Sequence, residues 1–163
     1  MTAVTRTVPS PVGPLLLVGD GARLTGLFMT KQRHHPVIES PTEDPEAYAD
    51  AVTQLDEWFA GERREFDLAL APRGSAFQKQ VWDVLRQIPF GDTMTYGEVA
   101  ARVGRPGSAR AIGAAVGRNP IGIVVPCHRV VGASGALTGY AGGLDRKKWL
   151  LDHEKAVGAP TLF

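Results

Sequence analysis

The one cysteine of this 163-residue chain, Cys127, lies in the run Val125-Pro126-Cys127-His128-Arg129-Val130. A cysteine next to a histidine and an arginine, behind an apolar stretch closed by proline, is placed for thiolate chemistry. The thiolate is the nucleophile, and neighbouring positive charge stabilises it. Unadorned cysteines are mostly buried small hydrophobes; here Pro126, the basic pair and an expected strand over 121–125 weigh the other way. Adjacent residues on a regular strand face opposite ways, so a direct Cys127–His128 bond requires a turn here or a bridging water. With no second cysteine the sulfur has no internal disulfide partner to resolve it, so a group it acquires stays on it unless hydrolysed. Hydrolysis would make the chain a cysteine hydrolase with His128 as base. Such enzymes usually draw the base from a distant segment, and no oxyanion-hole pattern is visible.

At this length the chain forms one compact unit or two small packed domains. No apolar run reaches membrane-spanning length and the N-terminus does not resemble a signal peptide. A lone cysteine excludes an internal disulfide framework, so a reducing cytoplasm is expected. The four histidines and the cysteine lack metal-ligand spacing, and His34-His35 reads as a solvated loop pair. No glycine-rich phosphate motif follows a strand, so no cofactor is expected. The net charge of +1 conceals an asymmetry: residues 1–74 carry 7 basic and 11 acidic side chains, residues 75–163 carry 11 and 6. No acid occurs between Glu98 and Asp145, an interval holding Arg102, Arg105, Arg110, Arg118 and Arg129. That segment is either a polyanion-binding face or a surface balanced by the acidic half.

The runs 4–8, 15–18 and 24–29 are apolar or β-branched and parted by proline- and glycine-rich turns, which predicts an antiparallel sheet. Residues 31–43 are expected as a loop. Asp44 and Pro45 then start a helix that Gly61 ends, with Ala47, Ala51, Leu55, Trp58 and Phe59 on its apolar face. Phe66, Leu68 and Leu70 alternate as one more strand. Pro72-Arg73-Gly74 breaks the chain where the charge balance changes, dividing it into 1–74 and 75–163. Ser75 with Gln78, and Thr95 with Glu98, form capping boxes, the second placing Tyr96 first in its helix. After Gly104-Arg105-Pro106-Gly107, Ser108 caps a helix over 109–117. Two short helices around a glycine turn read as a helix-turn-helix. The second is nearly bare, with Ala109, Ala111, Gly113, Ala114, Ala115 and Gly117 around a projecting Arg110. It is shaped either for tight core packing or to enter a narrow groove, such as a nucleic-acid minor groove, into which Arg110 could insert.

The stretch from Asn119-Pro120-Ile121 through Pro126-Cys127-His128-Arg129-Val130-Val131, seconded by Ser134-Gly135 and Tyr140-Ala141-Gly142-Gly143-Leu144, resembles the 6-O-alkylguanine-DNA alkyltransferases. The likeness runs over about 75–154, and more loosely over the first seventy residues. It implies an α+β fold: a small N-terminal antiparallel sheet with a helix, ribonuclease-H-like, packed on a helical C-terminal domain carrying the helix-turn-helix. It also implies irreversible, single-turnover transfer of an alkyl group, mainly methyl, from 6-O-alkylguanine in duplex DNA to Cys127 after base flipping. In that scheme His128, bridged by water and oriented by Glu154, takes the thiol proton. Tyr96 protonates the guanine ring and crowds the 3′ phosphate, and Arg110 occupies the vacated stack. The carbonyls of Cys127 and Val130 accept from the guanine amino group, and Val130 packs on the base. Tyr140 lines the far wall, the Ala141 amide serves the guanine oxygen, Asn119 braces the turn, and Arg129 is structural.

The resemblance adds Gln78, Gly97, Arg105 and Ala133 to the DNA-contacting set and makes segment 139–143 a lid. It implies no obligate protein partner, a monomer in solution, and clustering on DNA as an open matter. Ala141 stands where some members have serine, and the N-terminal zinc-binding cysteines of some eukaryotic members are missing here. Alkyltransferase-like proteins, which flip and mark a lesion without a cysteine, are the alternative function; Cys127 argues against them.

Overall fold

In the computed structural model, which describes residues 2–158, three strands form the meander that their patterning predicts. β1 (Val4–Val8), β2 (Leu15–Gly19) and β3 (Leu24–Met29) pair antiparallel, with Thr5 opposite Val18 and Leu16 opposite Phe28. A two-residue β4 (Thr42–Glu43), inside the segment expected as loop, adds a parallel edge beside β1, giving the order β3-β2-β1-β4. The strand expected at 66–70 shrinks to one bridge, Leu24 to Leu70. Phe66, Leu68 and Leu70 are still half-buried, so the alternation recorded burial without a ladder.

The first helix, α1 (Ala49–Phe59), starts four residues after Pro45. The Asp44 carboxylate instead accepts from the Glu46 amide at 2.9 Å and holds a turn. Tyr48 then adopts a left-handed φ of 56°. Its hydroxyl donates to the Val4 carbonyl at 2.7 Å and accepts from the Gly21 amide at 3.2 Å, a tie to the sheet that overrides the local helix signal. Ala51, Leu55 and Trp58 are the buried face.

The helices α2 (Ala76–Leu85) and α3 (Tyr96–Arg102) both open on reciprocal capping boxes, Ser75 with Gln78 and Thr95 with Glu98. α4 (Ala109–Gly117) begins after Ser108, but that side chain makes no capping bond. The Trp82 indole donates to the Ala115 carbonyl at 2.9 Å and fixes α4 on α2. β5 (Met94–Thr95) pairs in parallel with β6 (Val130–Val131), and α5 (Leu144–Gly158) closes the fold. One apolar core runs through both halves, from Leu15, Leu27 and Trp58 to Val81, Ile112 and Leu150. Each such buried side chain stabilises the fold by about 1.5–3 kcal/mol.

The run 121–125 is not the strand expected. Only Ile121 bridges, to Leu27; the Leu27 amide donates to the Pro120 carbonyl at 2.8 Å and the Gly122 amide to the Leu27 carbonyl at 3.2 Å. The chain then coils tightly, with Ile123 at a φ of 68°. Burial on every side gives such a run the composition of a central strand whatever its backbone does. Among the described residues no helix is long and apolar enough to cross a membrane.

Candidate active site

Cys127 opens a single 3₁₀ turn, Cys127–Arg129, behind Pro126. This is the bend that separates the cysteine and histidine side chains. Asn119 fixes the approach: its amide donates to the Val125 carbonyl at 2.9 Å and its oxygen accepts from the Ile121 amide at 3.1 Å. Those bonds straddle Ile123, whose left-handed backbone costs about 1–3 kcal/mol and persists only where surroundings enforce it.

Behind the turn, His128 is fully buried and its Nε2–H donates to a Glu154 oxygen at 2.9 Å. Arg129 Nε lies 3.0 Å from both Glu154 oxygens, Nη2 lies 2.6 Å from one of them, and Nη1 donates to the Ile88 carbonyl at 2.7 Å. Burial alone would raise the Glu154 pKa; the bonds from His128 and Arg129 outweigh it and bring it to about 2. An ionised Glu154 fixes the Nε2–H tautomer, so Nδ1 is an acceptor. Nδ1 is buried without a protein partner among the described residues. Burial holds the His128 pKa below its ordinary value, outweighing Glu154, so the ring is neutral near pH 7 and ready for a proton. Trp58 closes this interior, with its ring centroid 6.2 Å from that of His128. Arg129 therefore belongs to the interior ion pair, which corrects its place in the arginine face read from charge.

In front of the turn, Cys127 borders a cavity of about 640 Å³ walled by Tyr96, Tyr140, Ala141, Gly113 and Ala114. Burial raises the thiol above its ordinary value; the Asn119 amide dipole and the positive charge of Lys147 act the other way. Tyr140 is held well above the usual phenol range by burial, and by the nearness of Cys127. Tyr96 is half-buried, and the Thr138 hydroxyl donates to its oxygen at 3.4 Å. Val130 is fully buried beneath this floor. The Ala141 carbonyl accepts from the Arg33 amide at 2.8 Å. Gln78 lines the cavity as well as capping α2. Arg110, Gly97, Arg105 and Ala133 are exposed and do not line it; the Arg105 guanidinium sits 4.7 Å over the Phe77 ring.

Lys147 is the site residue that sequence reasoning missed. It is fully buried, and its ammonium donates to the carbonyls of Val130 at 2.5 Å, Thr138 at 3.1 Å and Gly139 at 3.2 Å. Burial lowers its pKa, while proximity to Cys127 works in the opposite sense. The available signal was phase: Lys147 and Glu154 share the buried face of α5 with Leu150 and Leu151, at spacings of three and four.

The bare surface of α4 is also resolved. Ala109, Ala111 and Ala114 are exposed beside Arg110. A methyl group at Gly113 would meet the Tyr96 ring at an ordinary 3.9 Å, and at Gly117 it would meet nothing within 4 Å among the described residues. Core packing does not require either glycine, which removes tight packing as the reason for them.

Residues 76–156 match a family model described as the DNA binding domain of 6-O-methylguanine DNA methyltransferase, and residues 4–72 match its ribonuclease-like domain. The chain is 57% identical to the methylated-DNA–protein-cysteine methyltransferase of Mycolicibacterium paratuberculosis, over 97% of both chains. It is 51% identical to the protein of that name from Methanosarcina acetivorans, over 89% of this chain and 94% of the other. It superposes on the structure of Mycobacterium tuberculosis OGT in complex with DNA with a TM-score of 0.93 at 53% identity, covering 94% of each chain. Likeness of this depth spans both halves and the turn that carries the nucleophile, and on it the chain belongs to the 6-O-methylguanine-DNA methyltransferase family.

Proposed function

We propose that the protein repairs alkylated guanine in duplex DNA by moving the alkyl group, methyl foremost, from the guanine 6-oxygen to Cys127, once per molecule. The observation that carries this is the pairing of one cysteine at a cavity with a neutral, carboxylate-oriented histidine directly behind it. The thiol proton passes through a water to Nδ1 of His128, the ring nitrogen left without a partner among the described residues. The sulfur attacks the alkyl carbon, the carbon–oxygen bond breaks, and its electron pair goes to the guanine ring, which takes a proton from the Tyr96 hydroxyl. Tyr96 is reprotonated from solvent. The thioether formed has no easy hydrolytic exit, so no turnover follows.

The other roles follow the same scheme. The carbonyls of Cys127 and Val130 accept from the guanine amino group; a carbonyl oxygen has two lone pairs, so Val130 can serve both Lys147 and the base. Tyr140 and Ala141 flank the base, and Asn119 holds the turn. Arg110 fills the vacated stack from the bare face of α4, while Gln78, Gly97, Arg105 and Ala133 meet the DNA around it. Residues 75–163 carry this machinery and residues 1–74 support it, in the cytoplasm, where the single thiol stays reduced. A lesion-marking protein would share the bare helix; Cys127 argues against one. Intact mass after incubation with a methylated duplex should rise by one methyl group. Cys127→Ser should show no gain while still binding duplex; methyl transfer by that variant would sink the assignment.

A further inference from the structure

We propose that Arg33 and His34, on the loop after β3, join Arg118 at the end of α4 in a phosphodiester site at the mouth of the Cys127 cavity, gripping the DNA backbone beside the everted nucleotide. This rests on duplex DNA being the substrate.

The N-terminal half is acidic overall, yet no acid occurs between Asp20 and Glu39, an interval holding Arg23, Lys31, Arg33, His34 and His35. The fold delivers part of that basic loop to the reactive cavity: Arg33, His34 and Arg118 line the same cavity as Cys127. All three are exposed, and among the described residues neither guanidinium makes an ion pair. Cations from two distant segments that converge without a counter-ion repel one another, and an anion placed among them relieves that cost. The His34 ring registers the field: partial desolvation first, then Arg118 and Arg33, lower its pKa.

The loop is held in place. The Gln32 side-chain oxygen accepts from the Met29 amide at 2.7 Å, and the Arg33 amide donates to Ala141 at 2.8 Å. Arg146 Nη1 donates to the Thr30 carbonyl at 2.7 Å and to Gly142 at 3.3 Å. Lys31 and His34 are both left-handed, at φ 60° and 57°, a conformation sustained only where contacts enforce it. A base drawn into the cavity leaves its phosphates at the mouth, because a phosphodiester keeps its charge and its hydration. That is where the three groups sit.

The test is Arg33→Ala with Arg118→Ala, read on two substrates: a methylated duplex, and free 6-O-benzylguanine, which has no phosphate. The ratio of duplex to free-base transfer rates should fall about tenfold, as expected when two solvent-exposed ionic contacts are lost. The slope of log affinity against log salt, measured on methylated duplex in a Cys127→Ser background that binds without reacting, should drop by about 1.8, at roughly 0.9 per phosphate. The corresponding lysine variants should retain most of that slope. Equal slowing on both substrates would make the rim a part of the pocket wall, and an unchanged ratio and slope would remove it from the DNA path; either overturns the proposal. A wild-type protein that binds duplex but never gains a methyl group would sink the transfer reaction and leave the salt measurement standing.

Discussion

The two sides of Cys127 are built on opposite terms. Behind it, His128, Arg129, Lys147 and Glu154 are all buried, and each is bonded to a protein group. In front of it, α4 offers exposed alanines, two glycines with room for a methyl group, and Arg110 standing free in solvent. Fixed charges in a low-dielectric interior orient a proton acceptor and tune a thiol, and they do so only if nothing moves. A face proposed to lie against a duplex is useful for the side chains it lacks. The rear is specified by what each residue touches, and the front by what stays empty, so the same substitution has opposite consequences on the two sides.

The largest effect is expected at the hub of the rear. Glu154→Gln preserves shape but leaves Arg129 without its counter-charge; breaking a buried pair by removing one partner typically costs about 3–5 kcal/mol. It also frees the His128 tautomer, which should slow transfer by about 10²–10⁴-fold. Thermal unfolding and single-turnover transfer measure both, and wild-type stability would mean that the pair does not anchor the turn. The acid limb of stability belongs to the same group. The folded Glu154 pKa of about 2 lies below the ordinary value of 4.5, so its contribution is full above pH 4.5 and is lost as pH falls toward 2. Glu154→Gln should flatten that limb.

Lys147 comes next. Lys147→Met removes the cation that favours the Cys127 thiolate, and burial then dominates the thiol further. The pH at which iodoacetamide alkylates Cys127 at half its maximal rate should move upward. A shift of one unit would slow the reaction at pH 7 about tenfold. Lys147→Arg should recover much of it. An unmoved pH profile, with loss of stability alone, would reduce Lys147 to a strut between Val130 and the 138–139 segment.

What could be read in advance divides along physical lines. Both capping boxes were legible because each is closed within four residues by the groups that define it. The Cys127-His128-Arg129 cluster was legible as chemistry, but Glu154 entered through a family resemblance, since nothing local ties it to His128. Lysine is ordinarily solvated, which hides Lys147 in the sequence, although its phase matches that of Leu150 and Glu154. The start of α1 and the course of 121–125 depart from their local patterns for one reason. Tyr48 reaches back to Val4, and Asn119 holds Ile121 and Val125, so distant or side-chain bonds overrode the local pattern. β4 is too short to have a period at all.

The smallest effect distinguishes the front most sharply, because its sign is the reverse of the usual one. Gly113 sits in the middle of α4 with ordinary helical geometry, and a methyl group there would meet Tyr96 at 3.9 Å without displacing it. Replacing a helix-interior glycine by alanine removes backbone freedom from the unfolded chain and should raise stability by about 0.5–1 kcal/mol. If the glycine is kept for close approach to DNA, Gly113→Ala should make a more stable protein that binds duplex severalfold more weakly and repairs it more slowly. Thermal melts and duplex titrations on one preparation decide it. A variant that is less stable would restore the packing explanation for α4, and one that is more stable with undiminished DNA affinity would mean that the bare face is not where the duplex lies.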